Sequence, residues 1–484
     1  MNSPYSPGFQ PQRNGPPLKD FGNEQLQLEL FILLVGIFFV YSRFPEILGM
    51  VTGIQVPGLV AIPFILAAFG ALLKGMPVIQ TAFSGVTGIF LTFTIWMLIC
   101  VPFSSWRGGS VEMLRYQWGP VFLCTVLAAT ILREERHFHI LGKVMACASL
   151  TIVIAGFYLG RYSDADGRFM FLVGSLKNSN DLSTLLCTGL PFFFIPLLGK
   201  EWGLFGKVIA LPAIAFHILV VLRTGSRACM FSLLLITLML FVFSPVKRKL
   251  VILAIAVVMI GASLTLTPDV VIARLKSGFG KQDERVGEAI ASQRQRLDKL
   301  LSSIELTIRR PLFGVGPGTY LSAQAQVDTD AGRRADWLAS HNTLTQVSSE
   351  TGILGLLIYG AAIVVAFSRL QKARKLCLHN QFMQSELNIA TALEISLGGI
   401  FAANMFGSNA YMFFMPMLMC MGDAFHSQVQ RKYAALRPEK AAIPVSASTG
   451  IPSTPMRAPS AMPMMPDPLR RPMSKFRAEP KHVS

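Results

Sequence analysis

Residues 86–103 read VTGIFLTFTIWMLICVPF and contain no charged side chain. A membrane interior offers no water to satisfy backbone N–H and C=O groups, so an apolar run approaching the roughly 20 residues needed to cross it reads as a spanning helix. Comparable runs fall at 26–41 and 54–73 on its N-terminal side. On its C-terminal side they fall at 117–132, 138–159, 182–198, 204–222, 228–243, 250–266, 351–367, 387–406 and 411–425. The expected fold is therefore an all-α polytopic membrane protein with about twelve transmembrane helices. Glu29, Glu394, Asn404 and Asp423 interrupt the first run and the last two.

Composition supports this class. Of 484 residues, 52% are hydrophobic and 15% charged, against about 25% charged in a soluble domain. Disorder, collagen and small disulfide scaffolds are excluded for the chain as a whole. A net charge of +17 would suggest nucleic acid in a soluble protein, but in a spanning protein basic residues first record topology. No nucleic-acid partner is expected. The seven cysteines show neither disulfide-framework nor zinc-site spacing. Pro4, Pro7, Pro11, Pro16 and Pro17 precede the first run, which does not resemble a cleaved signal peptide, so that span is expected to be retained.

Lysine and arginine set the expected orientation. With both termini cytoplasmic, the inside segments, the N-terminus included, carry 15 basic residues before the tail is counted, and the short outside links carry 8, in the sense of the positive-inside rule. Residues 1–25 are then a disordered cytoplasmic N-terminus, 26–267 hold spans one to nine, 268–340 form a long periplasmic loop, and 341–425 hold the last three spans. Residues 426–484, rich in proline and basic residues, are expected to be a disordered cytoplasmic tail attracted to anionic headgroups.

Three outside segments are rich in polar residues. Arg223-Thr224-Gly225-Ser226-Arg227 is a short basic link suited to a phosphate or diphosphate, or to lipid headgroups. In the long loop, Leu297, Leu300, Leu301, Ile304 and Ile308 recur at helical spacing between Arg294, Arg296, Arg309 and Arg310, so an amphipathic helix is expected along the membrane or along the bundle. Gly314-Val315-Gly316-Pro317-Gly318 follows as a turn without the lysine of a P-loop. Ser340-His341-Asn342-Thr343 carries helix-capping residue types. His341 is expected in the first turn of a helix, where the dipole and nearby arginines keep the imidazole neutral and fit to act as a base. Glu350, nine residues on, faces away from it and is expected to pair with a basic group elsewhere in the bundle. Asp164-Ala165-Asp166-Gly167 is too short for a calcium loop.

His341-Asn342-Thr343-Leu344 followed by Glu350-Thr351-Gly352-Ile353-Leu354-Gly355-Leu356 resembles the signature of the O-antigen ligase/polymerase superfamily of bacterial envelope glycosyltransferases. Thr224-Gly225-Ser226-Arg227 is similar to that family's Ser-Arg motif. Arg296, fifteen residues before Pro311, is similar to its loop arginine, with Leu300 where the family has tryptophan. Asn178-Ser179-Asn180-Asp181 stands where the family has Asn-Pro-Asn. The likeness runs from about Arg168 to Met419.

The resemblance implies a GT-C-like membrane glycosyltransferase in the bacterial inner membrane with its active site facing the periplasm. It would move a glycan from undecaprenyl diphosphate to an acceptor, with membrane lipids as its surroundings. Arg227 and Arg296 would bind the diphosphate, and His341 would deprotonate the acceptor hydroxyl. Arg223, Arg168, Asn180, Asn342 and Glu350 are supporting candidates. Neither a cofactor nor a metal is implied, and the reaction would invert the anomeric centre. The single long loop favours a ligase acting on lipid A core. A polymerase of the same superfamily, a protein O-glycosylation ligase and, in another class, a twelve-span transporter or flippase are the alternatives.

Overall fold

The computed structural model describes residues 25–436, apart from 55–57, 164–166, 173, 200–202, 336 and most of 246–286. The run at 250–266 and the acidic turn at Asp164 therefore lie largely outside the described residues, as do 1–24 and 437–484.

In chain order the helices are α1 (Gln25–Ser42), α2 (Phe44–Thr52), α3 (Ala61–Leu73), α4 (Val78–Ala82), α5 (Gly85–Cys100), α6 (Arg107–Met113), α7 (Gly119–Ile131) and α8 (Glu135–Leu159). A two-residue hairpin, β1 (Arg161–Tyr162) and β2 (Phe169–Met170), separates these from α9 (Ser179–Gly189), α10 (Phe194–Leu198), α11 (Gly203–Arg223) and α12 (Arg227–Phe243). The last five are α13 (Gly287–Arg309), α14 (Tyr320–Asp330), α15 (Thr343–Leu378), α16 (Gln384–Asn404) and α17 (Phe414–Leu436).

Among the described residues, six helices are long and apolar enough to cross a membrane, or up to seven if α1 and α2, bent by 67° at Arg43, count as one span. This multi-pass architecture does not support the count of twelve. Apolar runs mark where chain can be buried, but helix length decides what can cross. The run at 54–73 yields only the 13 residues of α3, and that at 228–243 only the 17 of α12. At 117–132, α6 and α7 join through a π turn at Leu114–Trp118.

The interior is built on α16. Nearly all of its side chains from Glu386 to Asn404 are buried, and its small residues allow close packing. At Gly399 a β-carbon would meet Ile236 Cδ1 at 2.8 Å, while the Ser232 hydroxyl of α12 donates to the Gly399 carbonyl at 2.7 Å. Around α16 stand α9, α12, α15 and α17, and α8 packs on α1 beyond them.

The acidic residues that interrupt apolar runs are explained by their partners. Lys74 bonds to Glu29, Arg369 to Asp423, and Arg374 to Glu394 at 2.7 Å. A charge taken out of water persists when it is paired and hydrogen-bonded. All these pairs lie at one end of the bundle. Lys432 adds to them, bridging Glu135 at 2.6 Å and Glu386, while Arg431 donates to the Arg133 carbonyl at 2.8 Å. The last helix therefore runs on to Leu436. The tail boundary at residue 426 is corrected by eleven residues, because Val429 and Gln428 are buried and Lys432 is clamped; hydropathy alone does not register such polar anchors.

Candidate functional site

The opposite end of the bundle gathers the residues singled out by sequence. His341 lies just before α15 rather than in its first turn, because Asn342 takes the N-cap position and its side-chain oxygen accepts from the Leu344 and Thr345 N–H groups at 2.9 and 3.0 Å. The Asn342 amide donates onward to the Met405 carbonyl at 2.9 Å. Asn342 is thus a structural brace. His341 itself has φ 55, a left-handed conformation uncommon for a non-glycine residue and concentrated at functional sites. The link from α16 to α17 holds it there: the His341 N–H donates to Ser408 Oγ at 2.9 Å, Ser340 and Ser408 hydroxyls meet at 2.9 Å, and Thr343 Oγ1 donates to the Gly407 carbonyl at 2.8 Å.

The half-buried imidazole of His341 is held below the usual histidine range, first by burial and then by the Arg296 guanidinium. Arg296, on α13, is thus near enough for its charge to act on the imidazole. On the other flank, Phe231 of α12 stacks on Phe406 with ring centroids 5.6 Å apart. Arg227 lies one turn before Phe231 on the same helix, and Ser408 lies two residues after Phe406. Arg227 therefore reaches the same end of the bundle as His341.

Behind Arg227, the Arg223–Arg227 link is locked by Asn180. Its side-chain oxygen accepts from Arg168 Nη2 at 2.8 Å and from Ser226 Oγ at 2.9 Å, while Arg168 Nε donates to the Thr224 carbonyl at 2.8 Å. Asn180 is the N2 residue of α9 and its own N–H is capped by Asn178 at 2.9 Å. One half-buried oxygen thus ties α9, the β-hairpin and the start of α12 together. Replacing Asn180 with Ala is expected to lower thermal stability by about 1–3 kcal/mol, the cost of leaving buried donors without an acceptor. Asn180→Asp, which keeps an oxygen there, should retain most of it in a melting measurement. In the sequence Asn180 stands in a weaker match, with the family's proline missing beside it; its weight comes from contacts to residues far along the chain.

Glu350 behaves differently from the expectation of a basic partner. Its buried carboxylate accepts from Tyr411 Oη at 2.7 Å and from the Gly318 and Tyr320 N–H groups at 2.8 and 3.3 Å. The satisfying donors are a phenol and two amides rather than a cation. The glycine-rich turn is therefore a structural clasp: Val315 and Gly316 N–H groups donate to the Ser349 and Glu350 carbonyls at 2.8 and 3.0 Å, and the Ile353 N–H donates to the Pro311 carbonyl at 2.8 Å. These bonds grip α15 where Gly352 breaks it at φ 73, ψ −176.

Arg43, at the α1–α2 bend, joins this end without having been singled out. It pairs with Glu46 at 3.3 Å and sits over the Phe414 ring at 5.0 Å. The one hint in the sequence is the Pro45 that turns the chain beside it. Among the described residues, no three His, Cys, Asp or Glu side chains are grouped to hold a metal ion.

Residues 212–360 match the family model described as O-antigen ligase. This match supports membership of the O-antigen ligase/polymerase superfamily. The matched segment carries Arg223, Arg227, Arg296, His341, Asn342 and Glu350. Arg168 and Asn180 fall outside it but are hydrogen-bonded into it through Thr224 and Ser226. No curated protein matches the chain. The match supports an O-antigen ligase/polymerase-type membrane enzyme, a family that implies a lipid-linked glycan and a glycan acceptor as general partners.

Proposed function

We propose that this protein is a ligase-type glycosyltransferase that moves a glycan from undecaprenyl diphosphate to an acceptor hydroxyl, with lipid A core as the acceptor, on the periplasmic face of the inner membrane. The observation that carries the reading is His341, held in a left-handed conformation with burial and the Arg296 charge lowering its proton affinity, at the end of the bundle where the braced Arg227 link also lies. The imidazole takes the proton from the acceptor hydroxyl. The acceptor oxygen then forms its bond to the anomeric carbon as the bond from that carbon to the diphosphate oxygen breaks on the opposite face, inverting the centre. Charge developing on the diphosphate falls to Arg227 and Arg296, fixed cations of the kind that stabilise a departing phosphate without reorganisation. Arg223 and Arg168 reinforce that end of the bundle.

Deletion of the gene in its native host tests the assignment. Accumulation of long lipid-linked polymer, with loss of glycan from lipid A core, is the expected result. Accumulation of single lipid-linked repeats would make it a polymerase, and unchanged envelope glycans would overturn the reading.

A further inference from the structure

The helix that carries Arg296 is amphipathic in an inverted sense. Its protein-facing flank is mostly polar: Lys299 is buried and pairs with Asp328 at 3.7 Å, Ser303 is fully buried, and Thr307 Oγ1 meets Ser348 Oγ at 2.9 Å, with Leu306 the buried apolar residue among them. Its apolar stripe faces outward, with Leu297 54%, Leu301 55%, Ile304 41% and Ile308 73% exposed. At about 100° per residue these four lie within one narrow stripe. A water-facing helix would place its residues the other way round.

The stripe does not end with the helix. Leu312 is exposed just beyond it, and the Pro311 carbonyl accepts from the Ile353 N–H at 2.8 Å. Ile353, Leu354 and Leu357 are themselves exposed on α15, a helix long and apolar enough to cross the membrane. The outward face of α13 is therefore continuous with the lipid-facing side of a spanning helix. Trp337, also exposed, supplies the residue type favoured at membrane–water boundaries. Arg294, Asp298, Glu305 and Arg309 occupy the remaining exposed side of α13, as the headgroup-facing side of an interfacial helix should.

We propose that α13 docks in the membrane leaflet on the site's side, with Leu297, Leu301, Ile304 and Ile308 inserted at the boundary between headgroups and acyl chains. Lipid is the occupant because the surface it extends is already a lipid-facing one. Arg296 then sits on the flank between the inserted stripe and the protein, at headgroup depth. This last consequence rests on the proposed function: a diphosphate attached to a lipid would meet Arg296 without leaving the membrane surface.

The test places a photo-crosslinking amino acid at Leu301, Ile308, Asp298 or Glu305 of the full chain, in vesicles of phosphatidylethanolamine and phosphatidylglycerol. Lipid adducts at Leu301 and Ile308, at least tenfold above those at Asp298 and Glu305, are expected. Adducts to protein at Leu301 and Ile308, or no excess of lipid there, would overturn the docking. The readout needs no catalysis, so it separates the two ideas. If Arg296→Ala abolishes glycan transfer while the lipid adducts are missing, docking fails and the function stands. If the adducts form while native protein transfers no glycan, docking stands and the function fails.

Discussion

His341→Ala is expected to reduce glycan transfer by about 10²–10⁴-fold, the usual contribution of a positioned general base, with the protein still folded. The folded state should survive because the contacts around His341 are made by its backbone and by Ser340, Asn342, Thr343 and Ser408. His341→Gln, which keeps a polar side chain without a basic nitrogen, should be equally impaired. The pH profile adds a sharper criterion. Burial and then the Arg296 charge both lower the affinity of His341 for a proton, so the reactive neutral form persists to lower pH than for an ordinary histidine. The rate should therefore fall only as pH drops through that lowered value. Removing the cation in Arg296→Met restores part of the proton affinity, and the acid limb of kcat/KM should move to higher pH in whatever rate remains. An acid limb that stays in place would mean that His341 is not the group being titrated.

How much of this was legible in the sequence depends on the range of the interaction. Apolar runs locate helices well because burial is decided residue by residue: 86–103 became Gly85–Phe103, and 204–222 became Gly203–Arg223. The number that cross was not legible, since it depends on where a helix bends or stops, as at Arg43 between α1 and α2. Paired charges were misleading at single-residue level. Asp423 and Glu394 look like interruptions until Arg369 and Arg374 stand beside them. At the candidate site, the family resemblance proposed His341, Arg227 and Arg296, and the geometry added what no local pattern could contain. Asn180 serves two donors from distant segments. Glu350 serves the glycine-rich turn and Tyr411. The spacing of leucines on α13 gave its stripe but not the side of the helix that the protein would cover; that was set by the partners Asp328 and Ser348.

Gly352→Ala is expected to destabilise the protein by about 3 kcal/mol or more, from two independent costs. At φ 73 and ψ −176 the backbone occupies a region essentially reserved for glycine, and forcing a side chain there costs on the order of 1–3 kcal/mol. The new β-carbon would also overlap the Leu312 carbonyl oxygen, with the Pro311 carbonyl close behind. Neither obstacle is the movable end of a side chain, so the Pro311–Leu312 backbone itself must shift. That shift breaks the Ile353 to Pro311 hydrogen bond and loosens the clasp formed by Val315 and Gly316 on Ser349 and Glu350. The clasp directly follows α13, so its loss should also withdraw Arg296 from His341. A melting experiment in detergent should show a large drop in Tm for Gly352→Ala. Gly360→Ala on the same helix, where a β-carbon meets nothing within 4 Å, should be neutral or slightly stabilising. If the two variants melt alike, the break in α15 does not hold this end of the bundle together. If Gly352→Ala melts early yet the fraction still folded transfers glycan at the native rate, the clasp stabilises the fold without positioning Arg296.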